Sequence, residues 1–334
     1  MNDMIEKIST LHMSRAGWLA ERRGSIGGSD AGAILGLNPY RSPYAVWAEK
    51  TGRLPEQEDN EAMRQGRDLE EYTARRFVEK TGKRVERCNY LLRNTDAPHL
   101  HANIDRRVMG EKAGLECKTA SALRLKSYRG GQFPESYYVQ CAAYLAVTGW
   151  QRWYLAALVL GRAFHIYQIT TVENDPRPPW CESSIYAGPE ELSALKEFVS
   201  RFWEDYVEKD TPPPPDGAES TTAALGAVYS GGDGGQVELF GRTGILEEWD
   251  CLQAQRKELQ IRQAQIKQTL MQDLGSAGAG ICGDWSVQWT QQKRGTLSPE
   301  KLRRAYPNID LGKGMVCKTF RRFSIRKGDT YGTN

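Results

Sequence analysis

Residues 101–120 read HANIDRRVMGEKAGLECKTA, and few folds can accommodate them. Two β-prone runs flank GEKAG at 110–114, a turn signal, so the spacing predicts an antiparallel hairpin. Side chains alternate across a strand, which places Glu116 and Lys118 on one face and Cys117 on the other. The hairpin then carries Asp105, eleven positions earlier, to a place beside Glu116. Two carboxylates and an ammonium meeting at one spot form an oxygen-rich cluster of the kind that holds Mg²⁺ or Mn²⁺. The plainer reading is an exposed hairpin with ordinary surface charges, and these residues alone do not decide between the two.

The chain has 334 residues, enough for two domains or for one large domain with an appendage. Apolar residues make up 40% and charged residues 26%, ordinary values for a globular protein with a sizeable core. The longest apolar run, WYLAALVLG, has nine residues, too few to span a membrane. The N-terminus MNDMIEKISTLHM has no apolar h-region, so no signal peptide is expected. Formal charge is +3, from 45 Lys and Arg against 42 Asp and Glu, and says little about partners. Seven scattered cysteines without C-x-x-C pairs point to reduced thiols in a cytosol rather than to disulfides, zinc or iron–sulfur clusters. Only four histidines argue against a His-rich metal site.

Residues 1–210 alternate helical and β patterns and read as one α/β (α+β) domain. Helices are expected at 42–52, 61–82, 136–149 and 189–210, with glycine stops at the first three. Strands are expected at RVERCNYLLRN, LHANIDRRVM, AGLECKTA, RWYLAALVLG and AFHIYQIT. Prolines and glycines mark 211–240 as a linker that holds at most one short helix. Beyond it, residues 241–334 read as a long helix and a basic C-terminal appendage. Ile245, Leu252, Leu259 and Ile266 recur every seven residues, but Arg256 and Gln263 interrupt the seam. Such a half-polar stripe suits a helix packed on its own chain better than an oligomeric coiled coil. From Asp284 to Lys327, eleven Lys/Arg stand against three Asp/Glu in an expected β/α/β appendage. That surface is either a solvated basic face or a phosphate-facing patch.

Four further pieces surround the hairpin. Glu70 lies in GRDLEEY on the helix before the strands, where one turn can aim a carboxylate at a strand end. Gln140 and Tyr144, in QCAAY, share a helix face at i, i+4. In RRGSIGGSDAGAILG, Ser29 or Asp30 could cap a helix beginning at Ala31. Arg22, seven residues ahead of Ser29, adds a planar donor for phosphate, unless the stretch is a plain helix cap after a glycine turn.

The order Glu70, Asp105, Glu116-Cys117-Lys118, Gln140 to Tyr144 resembles the PD-(D/E)XK nuclease core. More narrowly, IGGSDAGAILGLNPYRSPYAVWAEKTG with GRDLEEYTARRF resembles the YqaJ viral recombinase family, which is lambda-exonuclease-like. The likeness covers roughly residues 15–170, with a weaker match beyond 240. It implies a central mixed β-sheet flanked by helices and Mg²⁺- or Mn²⁺-dependent hydrolysis of DNA phosphodiesters, with two ions. By that resemblance Asp105, Glu116 and the backbone carbonyl of Cys117 are metal ligands, and Glu70 serves the second ion. Lys118 positions and activates the attacking water, and Gln140 orients Lys118 or the nucleophile. Arg22 and Ser29 match positions that grip a 5′-phosphate, with Tyr144 beside them at the substrate. The first motif reads Ile-Asp here in place of the Pro-Asp of the motif's name.

The resemblance thus implies a 5′-to-3′ exonuclease that resects double-stranded DNA ends in a bacterial or phage-infected cytoplasm. Implied partners are a single-strand annealing protein and further copies of the chain in a trimeric ring, with no membrane. Two rivals stand beside it: an endonuclease on branched or specific DNA, and a DNA-binding module without catalysis. Cys117 as a nucleophile is disfavoured because its side chain points away from Glu116 and Lys118.

Overall fold

The structure, a computed structural model, describes residues 5–54, 60–232, 234–293 and 298–306. It divides into two units, Met1–Ser230 and Gly231–Asn334.

The first unit is an α/β fold with two mixed sheets and helices around them. One sheet has the order β1-β4-β5-β2: β1 (Ile5–Ser9), β4 (Tyr90–Asn94), β5 (Ala97–Asn103) and β2 (Ile26–Gly27). The other runs β10-β9-β8-β7-β6-β3: β10 (Ser184–Tyr186), β9 (Ala163–Thr170), β8 (Arg152–Val159), β7 (Ala113–Ala120), β6 (Arg106–Val108) and β3 (Val85–Arg87). The hairpin forms as the turn signal requires, with Arg106 paired to Leu115 and Arg107 to Gly114. β7 then lies parallel to β8, with Ala113–Glu116 buried and Cys117–Ala120 partly so.

RVERCNYLLRN and LHANIDRRVM each form two strands instead of one. Together they make a long antiparallel ribbon. Its β4–β5 half belongs to the first sheet and its β3–β6 half to the second. The ribbon bends where Ile104 and Asp105 separate β5 from β6. Residue patterns show alternation within a strand but not which sheet each half will join.

The helices end where their caps dictate. α3 (Pro43–Lys50) opens on Ser42, whose hydroxyl accepts from the Ala45 N–H. α4 (Glu61–Thr81) is opened by Asn60 and stopped by Gly82 at φ +72°. α5 (Glu135–Thr148) buries ten consecutive residues, Val139 to Thr148, and stops at Gly149. A helix apolar on all sides must be covered on all sides, and α5 packs against β4 and β5 of one sheet and β8 and β9 of the other. α6 (Pro189–Phe202) continues into a π-turn, Trp203–Glu208. α7 (Glu219–Val228) packs on α3 with Thr221 and Ala224 buried, so it lies within the first unit. α1 (Arg15–Arg23) and α2 (Gly28–Ile34) flank β2. The expected helix start at Ala31 is corrected. α2 begins at Gly28, and Asp30 sits in its first turn, returning its carboxylate to the Gly27 N–H at 3.1 Å.

Trp153, wholly buried, fills the floor of the larger sheet against Gly114. A Cβ at Gly114 would lie 2.4 Å from the indole, which has nowhere to go. Gly114→Ala is therefore expected to destabilise the first unit by about 1–3 kcal/mol, read as a lowered midpoint in urea with an unchanged slope.

In the second unit, α8 (Thr243–Leu274) carries no buried residue. Ile245, Leu252, Leu259 and Ile266 are all exposed, so the expected packing of this seam on its own chain is not found among the described residues. A hairpin, β11 (Ala279–Cys282) with β12 (Trp285–Gln288), and α9 (Pro299–Ala305) follow. The strand expected after α9 lies outside the described residues.

Candidate active site

The ribbon bend, β7 and α5 meet at one point. Asp105 caps the bend: its Oδ2 accepts from the Cys117 N–H at 2.9 Å. Glu116, 3% exposed, uses one oxygen twice. Its Oε1 accepts from Gln140 Nε2 at 2.7 Å and lies 2.7 Å from Lys118 Nζ. Its Oε2 is buried and has no partner among the described residues. Buried carboxylate oxygens are rarely left so. Lys118 Nζ also stands 4.9 Å from the centre of the Tyr137 ring.

Electrostatics mark the same spot. Burial, then the charges of Glu116 and Glu70, hold the Asp105 carboxyl well above the usual carboxylate range. Burial also raises Glu116, with Lys118 pulling against it. Burial works against the Lys118 ammonium, yet Glu116, Tyr137 and Asp105 outweigh it and its pKa rises. The cluster is short of positive charge. Its donors are hard oxygens, and one of them points at nothing in the protein. Asp105, the free oxygen of Glu116 and the Cys117 carbonyl suit a Mg²⁺ or Mn²⁺ ion that completes its shell with water. Among the described residues no three His, Cys, Asp or Glu side chains are placed to hold a metal by themselves.

Glu70 accounts for part of that. Its carboxylate pairs with Arg106, which is 3% exposed and also donates to the Asp105 carbonyl at 2.7 Å and to Glu71 at 3.0 Å. The cation tying α4 to the bend was not anticipated. Asp105 and Arg106 are adjacent, but the partner lies 36 residues away. Tyr137 was missed too, although it sits three positions before Gln140 on the same helix face. The Cys117 thiol alternates to the opposite face, packs near Phe77 and Tyr154, and is pushed well up in pKa by burial.

Gln140 and Tyr144 stay together: Gln140 Nε2 donates to the Tyr144 hydroxyl at 3.0 Å. Tyr144 is only 4% exposed and supports Gln140 through this bond. Its ring lies against Gly28, where a Cβ would come within 2.5 Å, and this contact brings α2 up to the cluster. Ser29 is partly exposed on the first turn of α2. Arg22 stacks its guanidinium 4.6 Å from the Trp18 ring centre, and its Nε is buried without a partner among the described residues.

Sheet order and cluster together define the class: an α/β protein that presents a buried Asp…Glu-x-Lys site where a bent ribbon meets a central mixed sheet. The chain belongs to the YqaJ-like viral recombinase family. Residues 17–151 match the YqaJ-like viral recombinase domain. The chain is 32% identical over 320 residues to the uncharacterized protein YqaJ of Bacillus subtilis (strain 168), covering 94% of this chain and 95% of that one. A 33-residue stretch is 58% identical to protein D345L of African swine fever virus (strain Badajoz 1971 Vero-adapted), 10% of each chain. Among solved structures, the alkaline exonuclease LHK-Exo from Laribacter hongkongensis is similar over 58% of this chain and 92% of its own, at 18% identity and a TM-score of 0.43. LHK-Exo in complex with dAMP gives 19% identity and a TM-score of 0.45 over the same shares.

Proposed function

We propose that the protein is a Mg²⁺- or Mn²⁺-dependent deoxyribonuclease of phage recombination type that resects double-stranded DNA ends from 5′ to 3′. The observation that carries this reading is the Glu116 carboxylate, buried beside Asp105, with Lys118 and Gln140 on one oxygen and no partner among the described residues on the other. Membership of a recombinase family supports it.

In this reading Asp105, Glu116 and the Cys117 carbonyl would hold the ion. Glu70 would serve a second ion only by exchanging its pair with Arg106. The metal, when bound, neutralises the phosphate and makes a bound water more acidic. Lys118 has three donors and no acceptor, so it orients the attacking water and stabilises negative charge on it. Gln140 keeps Glu116 turned toward Lys118, and Tyr144 keeps Gln140 in place. Arg22, with a buried nitrogen free, and Ser29 would grip the terminal 5′-phosphate. Among the described residues the six cysteines (Cys88, Cys117, Cys141, Cys181, Cys251 and Cys282) are free thiols, which fits a reducing cytoplasm, bacterial or phage-infected. Among the described residues no helix is long and apolar enough to cross a membrane. A single-strand annealing protein is the natural recipient of the strand left behind, and a ring of copies would keep the enzyme on its DNA.

The deciding assay compares an end-labelled linear duplex with a closed circle, in Mg²⁺ and then in EDTA. Metal-dependent loss of the linear form alone is expected. Equal cutting of the circle would favour the endonuclease, and no cutting in Mg²⁺ or Mn²⁺ would leave a binding module.

A further inference from the structure

Behind Arg22 lies a second set of buried charges, separate from the carboxylate cluster. The side chains of Asp30 and Lys50 are both 0% exposed, and Lys50 Nζ is 2.7 Å from Asp30 Oδ2. The second oxygen of Asp30 pairs with Arg41, whose other nitrogen is 2.6 Å from Glu49. A fully buried ion pair gains little stability over apolar residues of the same size. What this pair does is join three elements. Lys50 ends α3. Besides Asp30, its ammonium donates to the backbone carbonyl of Arg22, in the last turn of α1, at 2.8 Å. Asp30 in turn accepts from the Gly27 N–H at the start of α2.

The charges in this set do not balance. Asp30 and Glu49 are matched by Arg41 and Lys50. Arg22 is a third cation, near enough that its charge helps to keep Asp30 ionised against burial. It is also the one with a buried nitrogen that no described residue satisfies. Its backbone is held by Lys50 and its guanidinium face by Trp18, while among the described residues no carboxylate pairs with it directly.

We propose that Asp30 and Lys50 are positioning residues. Their buried pair fixes the α1 and α2 ends so that Arg22 meets the terminal phosphate of DNA, although neither touches the DNA. This rests on Arg22 being the 5′-phosphate ligand, as proposed above. Asp30 and Lys50 lie 20 residues apart in sequence, and their effect should fall on recognition of the end rather than on chemistry at Glu116.

Two variants test it. Asp30→Asn/Lys50→Met removes both charges, so neither is left buried alone. Lys50→Met by itself is the milder probe, because Asp30 stays paired with Arg41 and still accepts from the Gly27 N–H. Fluorescence anisotropy in EDTA measures binding of a 5′-phosphorylated and a 5′-hydroxyl duplex, and Mg²⁺ assays give the two cleavage rates. Wild type should bind the phosphorylated end about tenfold more tightly. In both variants that ratio, and the ratio of rates, should fall to within about twofold of one. A merely structural role would lower affinity and rate for both ends alike and leave the ratios as in wild type, which overturns the positioning role while sparing Arg22. If wild type itself ignores the phosphate, the Arg22 reading fails and takes this proposal with it.

Discussion

Glu116→Ala should lower cleavage about 10³-fold or more while DNA binding in Ca²⁺ persists. The substitution removes a buried carboxylate oxygen that no described residue satisfies and with it the anchor of Lys118 and Gln140. A factor of 10³ corresponds to about 4 kcal/mol of barrier, in keeping with loss of an ion that both neutralises the phosphate and acidifies its water. Burial makes the variant a risk to the fold, because Lys118 is left with less compensation. Glu116→Gln is the companion: it is nearly isosteric, still takes the Gln140 bond, and should be equally inactive. Asp105→Asn should match it. Calcium-supported binding serves as the check on folding. If any of the three keeps a tenth of wild-type activity, the ligand set is wrong.

Lys118→Met should cost about 10²–10³ in rate and leave metal binding in place. An ammonium is not a ligand, and here it stands 2.7 Å from a carboxylate that would hold the ion. Removing it takes a competing cation away from Glu116, so calorimetric titration with Mn²⁺ should show affinity equal to or greater than that of wild type. Loss of Mn²⁺ binding together with rate would make Lys118 a structural support. The methionine keeps the stem packed over Tyr137 and so separates loss of charge from loss of volume.

What could be read from sequence was local. Gly82 and Gly149 stop helices because a left-handed residue ends the ladder there, and the sequence carries that instruction at the position itself. The GEKAG turn sets the β6–β7 register, so Asp105 beside Glu116 follows from counting residues. Gln140 and Tyr144 follow from helix spacing. The remainder depends on partners far along the chain. β2 is two residues long and exists because Leu100 and His101 pair with it. Arg106 finds Glu70, and Lys50 finds Asp30, by folding and not by spacing. For Tyr144, helix spacing gives a face but not a depth; the ring is 4% exposed and lies against Gly28 of α2. The stripe on α8 has the same limitation. Periodicity shows that a face exists and leaves open what meets it.

The helix that lies against both sheets governs when the carboxylate cluster is complete. The β6–β7 hairpin alone sets Asp105 opposite Glu116, but Gln140 reaches Glu116 only after α5 has packed against β4 and β5 of one sheet and β8 and β9 of the other. The two acids meet the amide only once that packing is made. In the proposed reading, a nascent or half-melted molecule therefore carries its carboxylates unarmed.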